Sequence, residues 1–193
     1  MRDRPAALIL AAGRGTRYGS DKRRASGPWD GPLLHHVLGL YRPLFSMLGV
    51  VTGPGDAFGE EACRLFSARQ IVNPVADQGM GTSLAKGAAW LIGNGVDCAV
   101  IGLADMPWIA PETIVAVTEE GLRGGRAVAP SFGGRLGFPR ALPASLFPDL
   151  LTLTGDRGAA AVIDWRRAVW LDRQDPGILR DIDTPEDVQG RDP

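Results

Sequence analysis

The chain has 193 residues, 45% of them hydrophobic, and its formal net charge is −1. This length and composition fit one ordinary domain with a substantial core, so we expect residues 1–193 to form a single domain. A near-zero net charge argues against a partner that is nucleic acid or a membrane surface. The apolar runs are shorter than a membrane span, and no signal-peptide core follows Met1, so we expect a cytoplasmic protein.

Short apolar runs alternate with helix-length segments along the chain. The predicted strands cover residues 6–12, 48–52, 70–73, 97–103, 126–130 and 167–171. The predicted helices cover residues 32–46, 56–67, 81–93, 111–122, 141–150 and 156–164. Asp56, Pro111 and Thr184-Pro185 are typical helix starts. The alternation predicts an α/β fold, a three-layer α/β/α sandwich around a mostly parallel sheet.

A glycine-rich, cationic loop follows the first predicted strand, with the sequence Gly13-Arg-Gly-Thr-Arg-Tyr-Gly19 and then Lys22. Glycine lets the backbone approach a ligand, and the backbone N–H groups together with Arg14, Arg17 and Lys22 would bind a polyphosphate. The spacing differs from that of the P-loop, and Tyr18 replaces the third glycine of the dinucleotide fingerprint. The alternative interpretation is a solvated strand-to-helix turn.

Two other segments carry aspartates that are candidate metal ligands. Asp105 comes directly after the predicted strand 97–103, and the carboxyl ends of parallel strands share one edge of a sheet, so Asp105 is expected near the glycine loop. Its position suits a Mg²⁺ ligand, and the alternative is a turn aspartate. Asp181 and Asp183 would point to the same side of an extended segment. They are candidates for a second metal ligand, without a choice between them, and the alternative is capping of a helix near Thr184.

Five segments in register resemble one enzyme family. They are Leu10-Ala-Ala-Gly13 with Arg17 and Lys22, Asn73-Pro74 with Gly79-Met-Gly-Thr-Ser-Leu84, Leu103-Ala-Asp-Met-Pro107, Gly134-Arg-Leu-Gly-Phe-Pro139 with Gly155-Asp-Arg-Gly158, and Asp181-Ile-Asp-Thr-Pro-Glu-Asp187. Together they resemble the nucleotidyltransferases with a GT-A-like, Rossmann-like fold. Within these, the chain is most similar to the molybdenum-cofactor cytidylyltransferase and guanylyltransferase group of MobA-like NTP transferases.

The resemblance implies transfer of a nucleoside monophosphate from a triphosphate to a phosphorylated acceptor such as molybdopterin, with Mg²⁺ and release of pyrophosphate. Ala11-Ala12-Gly13 and Thr82-Ser83-Leu84 resemble the cytidylyl branch and favour CTP. Arg17, Lys22 and Asp105 are the expected catalytic residues, because charge grows on the leaving phosphates. The expected nucleotide-binding residues are Leu10, Ala11, Ala12, Gly13, Arg14, Gly15, Thr16, Arg17, Lys22, Asn73, Gly79, Thr82, Ser83 and Ala104.

Two features depart from the family pattern. Arg23 and Arg24 follow Lys22 where apolar residues are usual, and they either contact an anionic second substrate or are solvated. Phe138 replaces the histidine of the family's Arg-Gly-His-Pro, which leaves the acceptor open. A sugar phosphate, methylerythritol phosphate or a phospholactate-type acid are alternative acceptors, and a non-catalytic nucleotide-binding module is the alternative to an enzyme.

Four further residues are expected to have packing roles. Cys63 and Cys98 lie in apolar contexts without metal-type spacing, which predicts small buried thiols. His35 and His36 fall in a predicted helix and are expected to be packing or surface residues rather than catalytic ones.

Overall fold

The computed structural model covers residues 4–13 and 18–189. Its strands are β1 (Pro5–Leu10), β2 (Met47–Thr52), β3 (Arg69–Val72), β4 (Cys98–Leu103), β5 (Val128–Phe132), β6 (Arg135–Leu136), β7 (Arg140–Pro143) and β8 (Val169–Asp172). Its α-helices are α1 (Leu33–Tyr41), α2 (Ala57–Leu65), α3 (Met80–Gly93), α4 (Pro111–Gly124) and α5 (Phe147–Leu150). Within these ranges no helix combines the length and apolar character needed to cross a bilayer.

The strands form one sheet in the order β3-β2-β1-β4-β7-β5-β6, and β8 pairs with β5. The pairs among β3, β2, β1 and β4 and the pair β5–β8 are parallel, whereas β4–β7, β7–β5 and β5–β6 are antiparallel. After β1 the chain adds β2 and β3 on one side and then crosses to add β4 on the other. This topological switch point creates a crevice at the carboxyl ends of β1 and β4.

Helices cover both faces of the sheet. Helices α1, α2 and α4 pack with Ala7 and Ile9 of β1 on one face, while α3 and α5 pack with Ala6 and Leu8 on the other. Successive side chains of a strand point to opposite faces, so a strand covered on both faces is a continuous apolar run. The predicted three-layer α/β/α architecture with a mostly parallel sheet is confirmed.

The predicted helix starts are confirmed. The Asp56 carboxylate accepts a hydrogen bond from the Gly59 N–H at 2.9 Å and caps α2. Pro111 is the first residue of α4, where its missing N–H has no cost. Pro185 begins the 3-10 turn Pro185–Gln189.

One predicted helix starts too early and another is wrong. In the segment 141–150, Ala141 and Leu142 belong to β7 and are buried in opposite cores, and the helical part is a 3-10 turn at Ala144–Leu146 that continues into α5. The antiparallel pairing of β7 with β4 and β5 overrides the local pattern. The segment 156–164 contains only a 3-10 turn at Ala159–Ala161.

The histidines and cysteines have the expected packing roles. Cys63 and Cys98 are free and buried, and burial raises the pKa of each thiol to about 11. The His35 ring stacks on Phe58 with centroids 5.5 Å apart. His36 Nε2 lies 3.1 Å from the carbonyl oxygen of Pro107.

Candidate active site

A cleft of about 540 Å³ opens at the carboxyl ends of β1 and β4, at the topological switch point. Its walls come from segments far apart in sequence, namely the loop after β1, the turn before α3, the end of β4 and the segment 181–183. The residues that line it are Leu10, Ala11, Ala12, Gly13, Lys22, Arg23, Ala76, Asp77, Gly79, Met80, Ser83, Leu103, Ala104, Asp105, Asp156, Asp181 and Asp183.

Lys22 joins three of these walls. Its Nζ donates to Asp105 Oδ2 at 2.7 Å, to the Ile182 carbonyl oxygen at 2.8 Å and to Asp183 Oδ1 at 3.3 Å. The side chain is only 12% exposed. Burial lowers the pKa of Lys22, but the Asp105 and Asp183 carboxylates outweigh it, so the pKa is raised overall. Lys22 is therefore a fixed positive charge at the base of the cleft.

Three carboxylates meet beside Lys22. Asp105, Asp181 and Asp183 each offer one oxygen, and the three oxygens lie within 4.8 Å of one another. The structure thus brings Asp105 together with both aspartates of the pair that the sequence left undecided. The intervening Ile182 explains why, since it is fully buried and its N–H donates to the Asp105 carbonyl oxygen at 2.9 Å.

The carboxylate cluster fits a hard divalent cation. Asp105 Oδ1 is buried and has no hydrogen-bond partner among the described residues, which is costly for a carboxylate oxygen unless a cation or water completes it. Loss of surrounding water raises the pKa of Asp181, and the charges of Asp105 and Asp183 raise it further. A cation that prefers carboxylate oxygens would give Asp105 Oδ1 a partner and would offset the repulsion that raises the pKa of Asp181.

The segment after Asp183 has a structural role. The Asp187 carboxylate accepts from the N–H groups of Asp183 and Thr184 at 3.1 and 2.8 Å, and from the Thr184 hydroxyl at 3.0 Å. These bonds organise the turn at Pro185. The carboxylate that accepts from the backbone N–H groups at the start of this turn is therefore that of Asp187, rather than that of Asp181 or Asp183.

The loop after β1 provides the backbone wall of the cleft. Leu10, Ala11, Ala12 and Gly13 all line it, and Ala104 lines it from the end of β4. The Ala104 N–H donates to the Leu10 carbonyl oxygen at 3.1 Å, which keeps the two strand ends together. The remaining predicted nucleotide ligands of this loop lie outside the described residues, and they are Arg14, Gly15, Thr16 and Arg17.

The start of α3 forms the opposite wall. Gly79 and Ser83 line the cleft, whereas Asn73 and Thr82 lie behind that wall. The Asn73 amide, 1% exposed, donates to the hydroxyls of Thr82 and Ser83 at 2.9 and 3.1 Å. The Thr82 hydroxyl donates to the Gly79 carbonyl oxygen at 2.8 Å. In this structure Asn73 and Thr82 position the wall rather than line it.

The two glycines of this wall accommodate a loop of the protein. Gly79 has φ 113°, and a side chain there would collide with the backbone of Gly155 and with Asp156. The Gly81 N–H donates to the Gly155 carbonyl oxygen at 2.8 Å. This close packing carries Asp156 into the cleft lining. The segment 155–158 belongs to the family motif, but nothing in its sequence singles out Asp156.

Arg23 lines the cleft but is not solvated, so the solvated interpretation of it is wrong, and its contact with a substrate anion stays a prediction. Its guanidinium pairs with Asp21, at 2.8 Å from Nε to Oδ1, and with Asp56. It also donates to the Ala11 carbonyl oxygen at 3.0 Å, and the side chain is 14% exposed. Burial lowers the pKa of Arg23, but the two carboxylates raise it above its ordinary value. Arg24 is 59% exposed and lies over the Phe58 ring.

Comparison with known proteins places the chain in a family. Residues 7–170 match the family model described as the MobA-like NTP transferase domain. The chain belongs to the MobA-like NTP transferases. A probable molybdenum cofactor guanylyltransferase from Mycobacterium avium is 26% identical over 188 residues, covering 95% of this chain and 93% of the relative.

The chain is also similar to part of a longer protein and to a solved structure of similar length. The bifunctional protein GlmU of Dinoroseobacter shibae is 36% identical over 115 residues, which cover 58% of this chain but only 25% of that protein. This MobA-like chain therefore matches about a quarter of the length of such relatives. The crystal structure of a homologue of the Mycobacterium tuberculosis protein Rv0371c, from Mycobacterium sp. strain JC1, has TM-score 0.80 and 25% identity and covers 97% of this chain and 94% of its own.

A second similar solved structure is a manganese complex. It is the manganese complex of Rv0371c from Mycobacterium tuberculosis, with TM-score 0.76, 22% identity and coverage of 97% of this chain and 96% of its own. At this identity the likeness concerns the fold.

Proposed function

We propose that this protein transfers a nucleoside monophosphate from CTP to a phosphorylated acceptor and releases pyrophosphate. The observation that carries the proposal is the cluster of Lys22 with Asp105, Asp181 and Asp183 at the switch point, facing the backbone wall after β1. A buried cation beside three carboxylates is the arrangement needed to hold a polyphosphate and the cation that accompanies it.

The reaction is a single in-line displacement. An oxygen of the acceptor phosphate attacks the α-phosphorus of the triphosphate, the bond from that phosphorus to the bridging oxygen breaks, and pyrophosphate leaves with the bond's electron pair. No covalent protein intermediate is needed. Lys22 would bind the leaving phosphates, where charge grows in the transition state. The backbone at Leu10, Ala11, Ala12 and Gly13 would hold the base and ribose.

Asp105, with Asp181 and Asp183, would hold Mg²⁺. When bound, the ion supplies neutralisation of the phosphate charge. The unpartnered Asp105 Oδ1 supports a cation at this position, and the manganese complex of the Mycobacterium tuberculosis neighbour supports the use of a divalent metal. Magnesium is the proposed ion, because it binds through few carboxylates together with phosphate oxygens.

The choice of base and acceptor rests on two sequence segments and on one relative. The Ala11-Ala12-Gly13 and Thr82-Ser83-Leu84 sequences favour CTP. The name of the Mycobacterium avium relative favours GTP as the second candidate and supports molybdopterin as the acceptor. A pocket that hydrogen-bonds one base leaves buried polar groups unpaired with the other, at about 1–3 kcal/mol each. We therefore expect at least about tenfold preference for CTP over GTP.

The test is a pyrophosphate-release assay with all four triphosphates and Mg²⁺. The acceptors are molybdopterin, methylerythritol phosphate, a sugar 1-phosphate and phospholactate. Calorimetry with CTP and GTP measures binding separately from turnover. Equal or reversed preference would reject cytidylyl transfer and leave nucleotidyl transfer standing. Triphosphate binding without release with any acceptor would favour the non-catalytic module, and no binding at all would reject the proposal.

A further inference from the structure

A second cavity, of about 210 Å³, adjoins the cleft and shares Leu10 and Met80 with it. Phe138, Arg140 and Trp165 form one part of its lining, and the rest is apolar. Among the described residues that line this cavity, Arg140 is the one that carries a charge. The cavity has room for roughly seven water-sized groups at about 30 Å³ each, enough for a small substituent of a larger molecule.

Arg140 is held in place by rings rather than by carboxylates. Its guanidinium carbon lies 4.5 Å from the centre of the Phe138 ring and 4.3 Å from that of Trp165. Nε donates to the Gly137 carbonyl oxygen at 3.2 Å. Burial lowers the pKa of Arg140, yet a guanidinium stays protonated near neutral pH. The structure gives this charge no carboxylate partner within residues 4–13 and 18–189, unlike Arg23.

A second donor beside the guanidinium also lacks an acceptor. Trp165 Nε1 is buried and has no hydrogen-bond partner among the described residues. Buried N–H groups of native proteins are normally paired, so such a group indicates a missing partner. The two aromatic rings fix the guanidinium plane, which leaves its outer N–H fork preformed for a planar or tetrahedral anion.

We propose that this cavity binds a second anionic group of the acceptor, a carboxylate or a phosphate distinct from the phosphate that attacks the nucleotide, carried on a flat apolar part of that molecule. The proposal rests on the proposed function, which assigns the neighbouring cleft to the nucleotide. The border formed by Leu10 and Met80 lets one acceptor molecule reach from this cavity to the nucleotide. Phe138, the residue that departs from the family pattern, then helps to select the acceptor by supporting Arg140.

The experiment follows the Trp165 indole N–H resonance in ¹⁵N-labelled protein. The chain has five tryptophans, and Trp165→Phe identifies the resonance. Benzoate, phenyl phosphate and the uncharged benzamide are titrated in turn. We expect saturable shifts with at least one anion, binding at least about tenfold tighter than benzamide, as for one charge-assisted hydrogen-bonded pair. The tighter of the two anions distinguishes a carboxylate site from a phosphate site.

Two arginine variants separate a built site from general electrostatics. Arg140→Met keeps a long side chain between the two rings but removes the charge. It should abolish the preference for anions over benzamide. Arg166→Met removes an 89% exposed charge next to Trp165 and should leave that preference unchanged. If Arg140→Met does not fold, Arg140→Lys keeps the charge without the fork and should weaken anion binding while retaining the preference.

Several results would overturn the proposal. Equal binding of benzamide and both anions, or unchanged anion binding in a folded Arg140→Met protein, would remove the anion site. Repeating the titration with CTP or GTP and Mg²⁺ tests the acceptor role, since both ligands must bind together. Displacement of the anion by the nucleotide would overturn that role. Anion binding in a protein that binds no nucleotide would mean that the proposed function fails while the anion site stands.

Discussion

Lys22 and Asp105 are 83 residues apart in sequence, and their Nζ and Oδ2 atoms lie 2.7 Å apart. The pair ties the loop after β1 to the end of β4, and the further bonds of Lys22 to Ile182 and Asp183 add the segment 181–183. One side chain thus connects all three segments that would bind a triphosphate and its cation. Substitution of Lys22 should therefore lower the reaction rate more than it lowers the stability of the remote core.

Lys22→Met should lower kcat by about 100-fold or more while changing KM much less. A charge that acts mainly on the leaving phosphates stabilises the transition state more than the bound substrate. The measurement is the rate of pyrophosphate release over a range of triphosphate concentrations. Lys86→Met is the matched control, since Lys86 is the other lysine of the chain and lies exposed on α3. A change in KM alone would show that Lys22 binds the substrate and the transition state equally well, which would contradict its proposed role.

Asp105→Asn should lower turnover by at least about 100-fold, because loss of a metal carboxylate removes several kcal/mol of transition-state stabilisation. The fold should survive, because the site lies at a strand end. Pyrophosphate release and thermal unfolding are measured on the same sample. Asp97→Asn is the control, as Asp97 immediately precedes the opposite end of β4 and accepts from the exposed Arg4 N–H. Near-normal turnover in folded Asp105→Asn protein would refute the metal assignment.

The parallel half of the sheet and the centre of the cleft follow from sequence patterns. Apolar runs identify β1 and β4, and the strand ends of a parallel sheet converge, which is enough to predict that Asp105 lies near Lys22. Asp181 and Asp183 share a side because Ile182 between them is buried. These are local patterns combined with one topological rule.

The rest depends on long-range contacts that local patterns do not encode. Residues 140–143 become a strand only through antiparallel pairing with β4 and β5. The partner of Arg23, Asp56, is 33 residues away, and neither residue type nor spacing indicates the pair. Asp156 reaches the cleft only because the segment 155–157 packs on Gly79 and Gly81.

Arg23→Met should lower the free energy of unfolding by about 3–5 kcal/mol, because it leaves the Asp56 carboxylate, 9% exposed, without its buried partner. Arg24→Met should cost less than about 1 kcal/mol, since Arg24 is 59% exposed and its contacts are the Phe58 ring and the Asp21 carboxylate at 3.8 Å among the described residues. Urea unfolding of the two variants measures the difference. Equal losses would show that the Arg23 network does not stabilise the fold.

Gly79→Ala should destabilise the protein by at least about 2 kcal/mol, because φ 113° is strained for alanine. The new Cβ would also displace the backbone at Gly155 and shift Asp156 in the cleft wall. We therefore expect a higher KM for the triphosphate as well as a lower midpoint of urea unfolding.

Gly93→Ala is the control for the Gly79 variant, at the other end of the same helix. An added Cβ at Gly93 meets no atom within 4 Å, and alanine is favoured over glycine in a helix by about 0.5–1 kcal/mol. It should therefore raise stability slightly and leave KM unchanged. If Gly79→Ala matched this control in both measurements, the packing of the 155–157 segment against α3 would not be what shapes the cleft wall.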